Sequence, residues 1–141
     1  PQQSTNVLAG KQSGALTNIG LDIYLTLCDY AGITVPGNRN GKSLKPLLEG
    51  KITTNHNSIM VETLLDGINL RAWCVIEGNY KYVNYRMFKH KEQLFDLKAD
   101  KGETNNLADN PAYSATKMQL RNTMRMHARQ SGDLMLLKDL R

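Results

Sequence analysis

No apolar run in this sequence approaches the roughly 20 residues that a membrane-spanning helix needs, so no crossing of a bilayer is expected. The polar opening "PQQSTN" lacks the charged-then-apolar pattern of a secretory leader. It also lacks an initiator methionine, which suggests an excised or processed piece. Cysteine is sparse. Cys28 and Cys74 stand far apart without C-x-x-C spacing, and they read as two buried free thiols, with a disulfide between them as the alternative. Either way they leave the compartment unread.

The motifs of self-sufficient chemistry are missing too. "GNRNGKS" (Gly37 to Ser43) has three residues between its glycines, where the phosphate-cradling Walker loop needs four, so it reads as a turn. Asp96, Asp100, Glu103, Asn105 and Asn106 offer a row of oxygen ligands. An EF-type calcium loop starting at Asp96 would need glycine at its sixth position, and Lys101 stands there. Asp100-Lys101-Gly102 therefore reads as a turn. His56, His90 and His127 have neither zinc spacing nor cysteine partners. No serine sits in a nucleophile elbow. Glu62 and Asp66 bracket a strand end, with Arg71 on the next strand and Arg86 in a loop. These groups could meet a polar ligand at one rim, and a solvated ion pair is the plainer reading.

What is present is the composition of one soluble globular domain: 141 residues, 40% hydrophobic and 22% charged, with a net charge of +5. Lys117, Arg121, Arg125 and Arg129 recur every four residues. Each such step turns about 400° around a helix, so they form a slanting stripe. Tyr113, Leu120, Met124 and His127 occupy another face. The stripe reads as the solvated side of an amphipathic helix. Nucleic-acid binding would need flanking aromatics or a reading motif, and neither is there.

"LDIYLTLCDYAGITVPG" reads as a helix capped by Asp22 and closed by Gly32, with Ile33 and Pro36 beyond. Its polar positions Asp22, Thr26 and Asp29 follow i, i+4, i+7. The rest is apolar, so the helix wants a larger body to pack on. "SLKPLLEG" reads as a short second helix, with Ser43 as cap, Pro46 in the first turn and Gly50 as stop. The period then changes to two. Strands are expected at Ser58 to Leu64, Leu70 to Ile76, Tyr80 to Tyr85 and Gln93 to Leu97, with Gly78-Asn79 as a tight hairpin. A basic loop (Arg86, Lys89, His90, Lys91) precedes the last strand. Asn110 and Pro111 open a long C-terminal helix. The fold class is α+β: a small antiparallel sheet of about four strands packed with a long C-terminal helix, after one or two helices.

One polar stretch is specified more closely than a connection requires: "EQLFDLKADKGETNNLADNP", Glu92 to Pro111. It resembles the C-terminal signature of the sulfatase family, E-x-L-Y-D-L-x-x-D-P-x-E-x-x-N-L-A, at Glu92, Leu94, Asp96, Leu97, Asp100, Glu103, Asn106, Leu107 and Ala108. "YKY" at Tyr80 to Tyr82 is similar to the family's K-Y strand, and Arg71 stands at the arginine position before it. The helix segment through "GKSLKPLLEG" resembles the upstream family pattern, and "SGD" (Ser131 to Asp133) resembles its ending. Leu25, Phe95 and Lys101 replace the usual Pro, Tyr and Pro.

That resemblance implies a sulfatase of the alkaline-phosphatase superfamily, a hydrolase of sulfate esters. Its activity depends on calcium and on a formylglycine made from a C/S-x-P-S/A-R motif. Neither Cys28 nor Cys74 has that context, so this chain is expected to bind no cofactor and to be inactive alone. Residues 1–50 are implied to be the last helix and loops of the catalytic domain, and 51–141 the C-terminal subdomain. The implied partners are the N-terminal catalytic domain of the same polypeptide and a sulfated small molecule or glycan, with no nucleic acid and no membrane. Glu62, Arg71 and Arg86 are the candidate substrate-binding residues. The implied compartment is periplasmic or extracellular. The alternatives are the C-terminal part of a phosphoesterase or phosphotransferase of the same superfamily, and a basic binding module.

Overall fold

The computed structural model describes residues 12–35, 37, 39–65, 70–88 and 91–141. Pro1 to Lys11, Pro36, Asn38, Asp66 to Asn69, Lys89 and His90, some of which carry roles in the sequence reading, lie outside the described residues. The chain divides into two compact units, Pro1–Asn57 and Ser58–Arg141.

In the first unit, helix α1 spans Ile19–Ala31. It begins earlier than expected, because the Asn18 carbonyl already accepts the N–H of Leu21 and Asp22. Asp22 is therefore not the cap; it lies in the first turn, and its carboxylate reaches back to the Asn18 N–H at 2.7 Å. Leu25, at the position of a family proline, sits in the second turn rather than the first. The end is as expected. Gly32 adopts a left-handed φ of 67°, and the Ile33 N–H returns to the Cys28 carbonyl at 2.9 Å, a Schellman closure. Helix α2, Lys45–Leu48, carries Pro46 in its first turn. Leu44, not Ser43, holds the cap position, although the Ser43 hydroxyl accepts the Lys45 N–H at 3.2 Å.

The polar positions of α1 bind the segment leading into α2. Asp22 accepts the Lys42 N–H, Thr26 accepts the Leu44 N–H (both 2.8 Å), and Asp29 takes the Ser43 hydroxyl at 2.7 Å. Gly41 lets that segment approach: a Cβ there would stand 2.7 Å from the Leu21 carbonyl carbon.

The second unit is a four-stranded antiparallel sheet in the order β1-β2-β3-β4: Ser58–Leu65, Leu70–Glu77, Tyr80–Tyr85 and Glu92–Asp96. Gly78 takes φ 57° at the first central position of the β2–β3 hairpin, the conformation that primed turns require. The register aligns Met60, Val75, Tyr82 and Leu94 in one row and Glu62, Trp73, Asn84 and Glu92 in the next. Paired residues share a face, so this is the face that carries the core. It is covered by Leu120, Met124 and Ala128 of helix α3 (Ser114–Ser131), spaced four apart on one side of the helix. Leu136 and Leu140 add to the same core. They belong to a second C-terminal helix, α4 (Leu134–Asp139), and the turn that follows it. The sequence reading had no helix after α3; "SGD" is a junction, not an ending.

The basic stripe of α3 is also corrected. Lys117 and Arg121 approach Glu92 at 3.5 and 3.9 Å. Arg121 donates to the Arg141 carbonyl, and Arg125 to the Leu140 carbonyl just after α4. Of the four, Arg129 is exposed and the other three are half-buried.

Candidate functional site

The sequence candidates meet at one corner of the sheet. β1–β2 pairing sets Leu64 opposite Arg71, which makes Glu62 the diagonal neighbour of Arg71 on the same face. Their ion pair closes at 2.5 Å, and the Arg86 N–H donates to the Arg71 carbonyl at 3.0 Å. Arg86 turns toward α4, where Asp139 lies 3.8 Å from Nε and the Met135 sulfur 2.7 Å from Nη1. Each guanidinium is thus paired with one carboxylate, Arg71 with Glu62 and Arg86 with Asp139, and a backbone hydrogen bond joins the two residues that carry them. An exposed pair of this kind stabilises the fold by about 0–1 kcal/mol. The Arg71 Nε is buried without a partner.

A second cluster surrounds Asp22, a fully buried carboxylate. Besides Asn18 and Lys42, it takes the Asn55 amide at 3.3 Å and the His56 Nε2 at 2.8 Å. Burial pushes this carboxyl up, but the Lys42 and Asn18 N–H groups and the His56 ring outweigh it and hold the group below the ordinary aspartate value. Every partner is a hydrogen-bond donor already in place. The cluster is a fastening.

A third polar group lies under α3. The Tyr82 hydroxyl donates to Glu92 at 2.5 Å. Burial raises the Glu92 carboxyl, yet the Tyr82 hydroxyl, Lys117 and Arg121 leave it below the ordinary glutamate value. The Tyr82 hydroxyl is pushed well above its ordinary value by burial and by Glu92.

These partners account for the close specification of the signature stretch. The Asn106 Oδ1 accepts the N–H of both Leu94 and Ala108 at 3.0 Å, and the Leu107 N–H donates to the Leu94 carbonyl at 2.8 Å. The outer edge of β4, which would otherwise present unpaired groups, is closed by its own downstream loop. Asp96 accepts the N–H of Lys98 and Ala99, and Asp100 accepts that of Asn105, making the expected turn. Glu103 pairs with Lys81 of the K-Y strand at 2.5 Å. The Asn110 side chain caps a single 3-10 turn, Pro111–Tyr113, that leads into α3. Asp133 then serves two elements: Oδ1 caps α4 at the Leu136 N–H (2.9 Å), and Oδ2 receives the buried Trp73 indole N–H (3.0 Å). The signal was available in sequence as an Asp between a C′ glycine and "LMLL".

None of this fits the family's cofactors. Among the described residues no group of three or more His, Cys, Asp or Glu side chains is arranged to hold a metal. Cys28 is buried in α1, and burial raises the Cys74 thiol, which disfavours the reactive thiolate. No described helix is long and apolar enough to cross a membrane.

Residues 5–130 match the family described as N-sulphoglucosamine sulphohydrolase, C-terminal. The chain belongs to this family. It is a C-terminal sulfatase portion of the alkaline-phosphatase superfamily. It is 39% identical over 102 residues to a Delta 4,5-hexuronate-2-O-sulfatase of Bacteroides thetaiotaomicron, covering 70% of this chain and 21% of that protein. It is 37% identical over 94 residues to a choline-sulfatase of Rhizobium meliloti, covering 64% and 18%. A solved 2-O GAG sulfatase superposes with a TM-score of 0.72 at 34% identity, over 79% of this chain and 25% of that one. The sulfatase portion seen here spans about a fifth of the length of these curated relatives.

Proposed function

We propose that this chain is the C-terminal part of a sulfatase that hydrolyses sulfate esters of glycans, and that it is inactive alone. The observation that carries the reading is the match to the hexuronate-2-O-sulfatase, which extends over 70% of the chain. Residues 1–50 are the last helix and loops of the catalytic domain, and 51–141 are the C-terminal subdomain. Calcium and formylglycine belong to the upstream part of the polypeptide. They supply the charge stabilisation and the nucleophile for attack at sulfur.

This chain contributes a wall of the substrate site. Glu62, Arg71 and Arg86 form it, and their shared rim supports this reading by gathering donors and acceptors at one strand end. A neutral rim of this kind suits sugar hydroxyls, which both donate and accept. It binds and orients; it moves no proton in the reaction.

The test is Arg71→Ala in the full-length polypeptide, assayed on a sulfated disaccharide. Loss of a positioning contact raises KM about tenfold and leaves kcat within twofold. An unchanged KM removes the rim from the site. Turnover of phosphate esters in preference to sulfate esters would move the parent to the phosphoesterase reading.

A further inference from the structure

The turn from β3 to β4 exposes an aromatic ring. Phe88 is 44% exposed and its neighbour Met87 64%, so both forgo the burial that an apolar side chain ordinarily gains. Phe88 is nonetheless seated. Its ring meets Tyr85 in a T-shaped contact, with centroids 5.3 Å apart and planes at 83°, which leaves at least one face of Phe88 clear of Tyr85. Tyr85 is anchored in turn. Its hydroxyl donates to Gln93 Oε1 at 3.1 Å, and its N–H donates to the Lys91 carbonyl at 2.7 Å, closing the turn at its base. The turn leaves the sheet at the strand end that carries Arg71: Tyr85 pairs with Ala72, and the Arg86 N–H donates to the Arg71 carbonyl. Among the described residues of the turn, the charged side chains are both cationic, Arg86 half-buried and Lys91 exposed.

We propose that Phe88 is a stacking platform for the sugar ring next to the sulfate-bearing one, and that Lys91 meets an acidic substituent of that ring. The proposal rests on the glycan-sulfatase reading. It adds to the wall of Glu62, Arg71 and Arg86 a subsite that distinguishes saccharides by length. A pyranose carries a patch of C–H groups on one face, which an aromatic face covers while the hydroxyls stay in water. The cations favour a second sugar that bears a carboxylate or sulfate over a neutral one. They also count against a buried protein contact at this turn, because the cores of such interfaces are depleted in lysine.

Steady-state kinetics of the full-length polypeptide on a sulfated disaccharide, with a series of variants at position 88, test this. Phe88→Ala and Phe88→Leu are each expected to raise KM about tenfold with kcat within twofold, and Phe88→Tyr to keep the parent KM. Leucine retains apolar bulk and loses the flat face, so a leucine variant with the parent KM overturns the proposal. An equal rise of KM on the sulfated monosaccharide, which has no second ring to stack, overturns it too. A lowered Tm with an unchanged KM in the alanine variant assigns the ring to packing within the polypeptide and overturns it equally. Lys91→Gln is expected to raise KM about threefold where the second sugar is a uronate and not where it is neutral. The same effect on both overturns the role given to Lys91. Calorimetric titration with the desulfated disaccharide separates the two readings. Binding weakened by Phe88→Leu, without sulfate-ester turnover by the parent protein, sinks the sulfatase assignment and keeps the subsite; turnover with binding unaltered by the variant does the reverse.

Discussion

Asn106 offers the sharpest perturbation of the signature stretch. Its Oδ1 takes two backbone N–H groups, from Leu94 in β4 and Ala108 in the loop, both in residues that are buried. Its Nδ2 donates to the Glu92 carbonyl at a long 3.4 Å. Asn106→Ala leaves both N–H groups without a partner. At roughly 1–3 kcal/mol per unmet buried donor, and with some relief from water at the strand edge, the loss comes to about 2–4 kcal/mol. For a unit the size of Ser58–Arg141 that is a fall in Tm of roughly 10–25 °C. Asn106→Asp keeps the oxygen that accepts both N–H groups and sets a second oxygen against the Glu92 carbonyl in place of the long bond, so it is expected to lose less than the alanine variant. Thermal unfolding followed by Trp73 fluorescence reads this directly, because Trp73 is the sole tryptophan and lies in the core. An alanine variant within about 0.5 kcal/mol of the parent, the ordinary range for surface changes, would refute the edge-closing role. So would an aspartate variant as unstable as the alanine one.

Asp133 should behave differently, since its two oxygens serve two donors. Asp133→Asn keeps one oxygen and so cannot replace both bonds; it is expected to lose at least half of the about 2–4 kcal/mol that Asp133→Ala loses, measured by urea unfolding. Glu92 titrates below the ordinary value of 4.5, so its tie to Tyr82, Lys117 and Arg121 stabilises the fold above that pH. The contribution is lost as pH falls through the folded value. Glu92→Gln should flatten the acid limb of a stability–pH curve, and an unchanged limb would count against the tie.

The sheet was legible because its signals are local: period-two runs, a Gly-Asn hairpin and an Asn-Pro helix start. An ion pair at that strand end was the plainer reading of Glu62, Asp66 and Arg71, and the β1–β2 register makes it Glu62 with Arg71. Helix α4 was not legible, since six residues carry too little period to separate a helix from a tail. Without α4 the partners of Arg121, Arg125 and Arg86 were out of view, so a half-buried stripe read as a solvated one. The start of α1 was misplaced because "NIG" looks like loop, and only the Asn18 carbonyl shows the helix already begun. Its apolar excess was plain in the sequence. That the polar side would be the buried one was not, because it depends on the 42–45 segment folding back across Gly41.

On the proposed reading the chemistry lies outside this chain, and one assay decides it. Sulfate-ester turnover is measured with calcium for the purified 1–141 chain and for the full-length polypeptide, both taken from cells that carry out formylglycine conversion. Turnover is expected from the full-length protein and none from the chain. Sustained turnover by the chain, abolished by substitution of one of its own residues, would contradict it.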